Sequence, residues 1–207
     1  MKFGVGQPVT RLEDPRLLRG EGCFLDDIAL AHQAYGWVVR SPHAHARIGA
    51  IEHAEALAQP GVLAVLTGAQ AAADGLGGIV SITPQVNRDG SPAHITERPV
   101  LVAEVARCVG DPVALVVAES LAGARDAAEL MAIDYQPLPA CSDAEAALEP
   151  GAPQVWSEVA GNLGLDYEDG DRAAVDAALA AAHKVVRVRL ENQRITGCPL
   201  EPRGAIG

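Results

Sequence analysis

Pro112-Val113-Ala114-Leu115-Val116-Val117-Ala118-Glu119-Ser120 is the stretch whose reading decides the fold. Seven almost uniformly apolar residues, rich in valine, predict a strand buried on both faces. Ser120 can cap the helix that follows, because its side-chain oxygen can accept an orphan backbone N–H. Leu121, Ala124, Ala128 and Met131 recur at helical spacing and predict its buried stripe. Ile133-Asp134-Tyr135 reads as another strand, closed by Pro137 and Pro139.

Upstream, Ala34-Tyr35-Gly36-Trp37-Val38-Val39-Arg40 reads as a first strand bounded by Ser41-Pro42, and Gly61-Val62-Leu63-Ala64-Val65-Leu66-Thr67 as a second. A short helical stretch precedes the latter around Ala54 to Ala58. Residues 74–99, rich in Gly, Pro, Asn and Asp, predict a long surface loop. Residues 1–33 are rich in Gly, Pro, Arg and Asp and read as an extended, loop-heavy arm. Downstream, Gly151 to Gly170 is linker-like, with a boundary expected near 150–160. Asp171 then reads as the N-cap of an Ala-rich helix ending near His183. Val186, Val188 and Leu190 alternate with Arg187 and Arg189, the pattern of a half-buried strand. This last helix and strand have little of their own to pack against and read as the start of something larger.

Apolar residues are 49% of the 207-residue chain but aromatics only 3%, so the core must be built from Ala, Val, Leu and Ile. A net charge of -11 without a basic run argues against nucleic-acid and anionic-membrane partners. No apolar stretch is long enough to span a bilayer, and the start Met1 to Pro8 lacks the apolar core of a secretion signal. A cytoplasmic protein is the plain reading. Cys23, Cys108, Cys141 and Cys198 form no C-x-x-C pair, so they read as buried thiols rather than ligands of a cluster or zinc ion.

His43 and His45 share an H-x-H spacing that, on a strand, would point both rings to one face and could suit a metal. A third ligand would have to come from Asp26, Asp27 or His53; hydrogen-bonded histidines at a packed corner are the plainer reading. The pairs Asp26-Asp27 and Glu13-Asp14 read as turn caps and ion-pair partners of Arg11, Arg16 or Arg19. Gly4-x-Gly6, Gly20-Glu21-Gly22 and Gly75-Leu76-Gly77-Gly78 lack the strand–turn–helix frame of a phosphate loop, and no G-x-S-x-G elbow occurs. The residues alone describe a mixed α/β domain without an evident active site.

Four segments resemble the xanthine dehydrogenase, aldehyde oxidase and aerobic carbon monoxide dehydrogenase family, specifically its molybdenum-binding large subunit. They are Arg11 to Ile28; Arg40-Ser41-Pro42-His43-Ala44-His45-Ala46-Arg47-Ile48 with Pro60 to Gly68; Val109-Gly110-Asp111-Pro112 to Glu119 leading to Asp134-Tyr135-Gln136-Pro137-Leu138-Pro139; and Asn192-Gln193-Arg194 with Pro199-Leu200-Glu201-Pro202-Arg203-Gly204. They follow the family's order. Cys23 departs from the small or polar residues common there, and Leu200 stands where the family usually has Met.

The resemblance implies an arm over residues 1–19 and an α/β hammerhead domain over 20–142, with a mixed sheet and flanking helices. A linker over 143–170 and the first helix and strand of a molybdenum-cofactor-binding domain over 171–207 would follow. The family hydroxylates aldehydes or N-heterocycles, or oxidises CO, using a molybdopterin cofactor with iron–sulfur clusters and often FAD on other domains or subunits. Its cofactor-contacting glutamine loop, active-site loop and glutamate base have no counterpart here. The implied role is therefore structural: no catalytic, cofactor-binding or metal-binding residue is assigned to the chain, and activity is expected only within a complex. The expected partners are a molybdenum-cofactor-binding chain or domain, an iron–sulfur subunit and in some complexes an FAD subunit. A natural split subunit and a fragment both fit this pattern. The rivals are a stand-alone metalloenzyme using His43 and His45, and a non-catalytic scaffold protein.

Overall fold

The computed structural model describes residue 6 and residues 9–83, 85–193, 195–199, 201 and 203–207. They form two compact units, one over Ala34–Lys184 and one from Met1–Gln33 with Val185–Gly207.

In the larger unit, β1 (Tyr35–Arg40), β2 (Ala46–Glu52), α2 (Ala54–Leu57), β3 (Val62–Thr67) and α3 (Gly68–Ala73) come first, after α1 (Asp14–Leu18) of the other unit. The short strands β4 (Gly78–Ile79), β5 (Arg98–Pro99) and β6 (Val105–Ala106) follow. Then come β7 (Pro112–Ala118), α4 (Leu121–Glu129), β8 (Ala132–Pro137) and α5 (Arg172–Ala181). The central strand of the first sheet is β7, between β1 and β3; β2 is central in the second, between β6 and β8; β4 and β5 form a ribbon. Every pairing between these strands is antiparallel, so the expected mixed sheet is two antiparallel ones. The mixed α/β class stands.

The decisive stretch behaves as its composition dictates. Val113, Ala114, Val116 and Ala118 of β7 are buried, and Val38 and Leu66 flank Leu115 from the two neighbouring strands. One face of this sheet is covered by α4, with Ala124 and Ala127 against Val65, Val116, Ala118 and Ala56 of α2. Small side chains let the helix approach closely. The buried apolar side chains among the described residues are all Ala and Val; no Leu or Ile reaches full burial. The predicted stripe shifts accordingly: Ala128 and Met131 border the core, Ala127 joins it, and Leu121 stays 44% exposed at the first turn.

Caps fix the helix starts. Ser120 accepts the Gly123 N–H at 3.1 Å, and Asp171 accepts that of Ala174 at 2.9 Å. Thr67 and Gln70 form a reciprocal box at α3 that composition alone did not announce.

The residues of the expected linker are tied down. Asn162, in the left-handed region at φ 56°, donates to the carbonyls of Ala147 (2.9 Å) and Pro153 (3.0 Å) and accepts the Val155 N–H at 2.8 Å. Further on, the N–H groups of Arg88 and His94 donate to the carbonyls of Asp166 and Gly164. The Arg88 guanidinium bridges Asp166 (2.6 Å) and Glu168 (3.0 Å).

In the smaller unit, the arm contains α1, with Pro15 in its first turn and Arg11 paired to Asp14 at 2.9 Å. Asp27 accepts the Phe24 N–H at 2.9 Å, a turn cap as its sequence context predicts. The first and fourth family-like segments touch here: the Leu25 N–H donates to Glu201 at 2.9 Å, and Gly204 lies against the Leu25 side chain. Arg194, Leu200 and Pro202 of that fourth segment, Pro84 of the long loop, and Met1 to Val5, Gln7 and Pro8 lie outside the described residues. The strand expected at Val186 to Leu190 does not form: those residues join no ladder, and Val186, Val188 and Leu190 are 71%, 73% and 88% exposed. Alternation makes a strand only where a neighbour supplies the ladder.

Candidate functional site

The second and third family-like segments meet at one corner. The Ser41 N–H donates to the Asp111 carbonyl and the Gly110 N–H to the Ser41 carbonyl, both at 2.8 Å. Gly110 sits at φ 94°, a conformation that favours glycine, and its carbonyl accepts from Arg40 Nη1 at 2.8 Å. Asp111 then folds the preceding turn around itself. Its Oδ2 accepts the N–H groups of Arg107 (2.7 Å) and Cys108 (3.1 Å), and its Oδ1 accepts the Cys108 thiol at 2.9 Å. That last bond, aided by partial burial and the aspartate charge, holds the Cys108 pKa above the usual thiol value.

The candidate metal ligands sit at the same corner and are otherwise engaged. They precede β2 instead of lying on a strand, so the H-x-H spacing does not align the two rings. The His43 ring packs on Tyr135 with centroids 4.9 Å apart, tilted by 51°. His45 Nδ1 lies 2.7 Å from the Pro139 carbonyl, and the His45 carbonyl accepts the Leu138 N–H at 2.9 Å. His53 Nδ1 faces the Ile51 carbonyl at 3.0 Å. Asp26 and Asp27 belong to the other unit. Among the described residues, no group of three or more His, Cys, Asp or Glu is placed to hold a metal ion. The Tyr135 hydroxyl is buried without a well-formed hydrogen bond among the described residues; burial pushes its pKa up, against a smaller lowering effect of the Ser41 side chain with which it interacts weakly.

The cysteines correct one expectation. Cys23, Cys108 and Cys198 are exposed and Cys141 is half-buried; all four are free thiols. They lie on loops and turns outside the strands and helices, where no inner face is available to bury them. The glycine run at 75–78 serves chain geometry, as expected: Gly75 turns at φ 71° and Gly78 lies against the Arg98 carbonyl.

The turn at 107–111 also borders a groove that sequence reasoning missed. Arg107 lies over the Trp156 ring, 3.7 Å from its centre, and donates to the carbonyls of Val155 (3.0 Å) and Val105 (3.2 Å). Partial burial draws its pKa down, yet a guanidinium remains charged at any physiological pH. Arg40 and Arg98 line the same groove. No local signal announced it, because Arg40 stands far in sequence from Arg98 and Arg107, and acids lie beside the latter two at Glu97, Glu104 and Asp111. On the far face of the β1–β7–β3 sheet, Val38, Leu66, Leu115, Leu76, Val100 and Leu101 border an apolar groove of about 300 Å³. Leu66, Val100 and Leu76 there are 41%, 47% and 60% exposed.

This arrangement defines a known domain class. Residues 19–139 match the family model described as aldehyde oxidase and xanthine dehydrogenase, a/b hammerhead domain, and the chain belongs to that family. The carbon monoxide dehydrogenase large chain of Afipia carboxidovorans is 33% identical over 96% of this chain and 25% of its own length. The crystal structure of quinoline 2-oxidoreductase from Pseudomonas putida 86 aligns with a TM-score of 0.64 and 44% identity, covering 73% of this chain and 19% of that one. The Cu,Mo-CO dehydrogenase, in its carbon monoxide reduced state, aligns with a TM-score of 0.66 and 34% identity, covering 87% and 23%. The chain thus spans about a quarter of the length of the curated relatives it matches. No helix among its described residues is long and apolar enough to cross a membrane.

Proposed function

We propose that this chain serves as the hammerhead portion of a molybdenum hydroxylase large subunit, with a structural and assembly role and no catalytic side chain of its own. The observation that carries this reading is the fate of the family-like residues. Ser41, His43, His45, Gly110, Asp111 and Tyr135 engage one another or backbone groups, and Arg40 gives one donor to the Gly110 carbonyl, which holds two segments in register. The exposed apolar groove beside Leu66 and Val100 supports it, since a stable monomer ordinarily covers such a face.

No cofactor-holding residue is assigned to the chain. The His45 and His53 rings face backbone carbonyls, the His43 ring packs on Tyr135, and no group of three or more His, Cys, Asp or Glu among the described residues is placed to hold a metal ion. In this reading the molybdopterin cofactor, iron–sulfur clusters and, where used, FAD reside on partner chains or domains, and the hydroxylation or CO oxidation belongs to the assembled complex. The hammerhead supplies shape and orientation. The rival of a stand-alone enzyme built on His43 and His45 lacks a third ligand among the described residues.

The test is affinity purification of the tagged chain from its native cells, followed by mass spectrometry and molybdenum analysis. Co-purification of a longer molybdenum-containing chain and an iron–sulfur protein is expected. Recovery of the chain alone without metal, or with stoichiometric zinc or iron, would overturn the proposal.

A further inference from the structure

A groove of about 710 Å³ in the hammerhead unit lies between β5, the turn at 107–111 and the Val155–Trp156 segment. Small-molecule sites commonly occupy about 300–1,000 Å³. Three arginines line it: Arg40, Arg98 and Arg107. Two of their heads are held by neighbours: Arg40 reaches the Gly110 carbonyl and Arg107 lies over Trp156.

None of the three forms an ion pair with a carboxylate among the described residues, whereas Arg11, Arg19, Arg88 and Arg172 all do. Acid is not scarce, with 27 Asp and Glu against 16 Lys and Arg. Two carboxylates, Glu97 and Asp111, also line the groove, but backbone N–H groups already occupy them: that of Gly78 for Glu97, and those of Arg107 and Cys108 for Asp111. Glu158, Asp111 and Glu104 act on the Arg107 guanidinium through their charge, without a hydrogen bond to it. Each guanidinium carries five N–H donors; Arg40 spends one on protein, Arg107 two, and Arg98 none among the described residues. The groove therefore gathers positive donors not spent on the protein, two of them held in place, whose fork geometry pairs with carboxylate and phosphate oxygens.

We propose that this groove binds a small multivalent oxyanion, a di- or tricarboxylate or a diphosphate, through Arg40, Arg98 and Arg107. Arg98 is the adaptable contact, since no hydrogen bond or ion pair among the described residues holds its head. Arg40 and Arg107 are held in place by the carbonyls they serve. The bound anion would lie beside Cys108 and cover it.

The test uses the 207-residue chain with citrate and inorganic pyrophosphate as probes. Calorimetry measures binding, and iodoacetamide labelling read by mass spectrometry measures the access to Cys108, with Cys23, Cys141 and Cys198 as internal references. Saturable binding of either probe is expected, with slower labelling of Cys108 alone at the same midpoint. Arg98→Gln should weaken binding at least about tenfold without loss of fold, because one charge-assisted contact disappears; Arg172→Gln should leave binding unchanged. Tighter binding of citrate assigns a carboxylate ligand, and tighter binding of pyrophosphate a phosphoryl one. Three results would overturn the proposal: no saturable binding of either probe, equal binding by Arg98→Gln, or equal protection of all four cysteines. Tighter capture of a hexaglutamate peptide than of both small anions would also overturn it, making the groove a protein-docking surface.

Discussion

The His45 imidazole and the Pro139 carbonyl, 94 residues apart, are joined through Nδ1 at 2.7 Å. The contact lets β8 leave the second sheet beside the segment that enters it, since the His45 carbonyl also holds the Leu138 N–H. His45→Ala should therefore cost about 1 kcal/mol, the usual net worth of such a bond. A lower urea midpoint, with the metal content of the purified chain unchanged, is the expected result. A loss of bound metal would mean that the ring is a ligand after all.

Tyr135 gives the opposite expectation. Its buried hydroxyl has no well-formed hydrogen bond among the described residues, only a weaker interaction with the Ser41 side chain, so removing it sacrifices little. Tyr135→Phe should be neutral or stabilising by up to about 1 kcal/mol, because an unsatisfied buried group costs about that much or more. Thermal unfolding at neutral pH measures it, and a clear drop in midpoint would reveal a partner for the hydroxyl.

Asn162 combines three hydrogen bonds with a left-handed backbone. Asn162→Ala should destabilise by roughly 2–3 kcal/mol through lost bonds and backbone strain. Asn162→Gly should recover only the backbone part. Hydrogen exchange across residues 147–162 should rise in both variants, more in the alanine one.

The Cys108 thiol titrates above its ordinary range chiefly because it donates to Asp111. The raised pKa means that the folded chain holds this proton more tightly than the unfolded one. The associated stability is full below the unfolded thiol value and is lost as pH rises through the folded one. Alkylation of Cys108 should therefore need higher pH than that of a free thiol peptide. Asp111→Asn should move the labelling profile back toward the ordinary value; an unmoved profile would assign the shift to burial.

Ser120→Ala removes the cap of α4 and should cost about 1 kcal/mol, while Ser120→Asp should retain most of it. Helix α4 covers the central sheet, so the loss should register in global denaturant unfolding.

Legibility followed the range of the forces involved. Strands β1, β3 and β7 and helices α4 and α5 were readable because apolar runs and caps are local signals. Strand β2 was not: Gly49 and Ala50 interrupt its alternation, its register shifts between Ile48 and Ile51, and its main partner β8 lies more than eighty residues away. The strand expected at Val186 to Leu190 failed for the complementary reason, a good pattern with no ladder beside it. The four family-like segments identified the domain, but His43 and His45 could be read as hydrogen-bonded residues of a packed corner or as ligands until their carbonyl and aromatic partners were visible. The arginine groove was illegible because Arg40, Arg98 and Arg107 converge only after the chain returns twice to one turn.

The bond between Leu25 and Glu201 spans 176 residues. Ribosomes add about 5–20 residues per second, so on the order of 10–35 s separates the synthesis of donor and acceptor. Throughout that interval the Leu25 N–H has no Glu201 carboxylate to donate to. The tie between the two ends of the chain can therefore form only after the whole hammerhead has been synthesised, and it is among the last contacts this sequence can make.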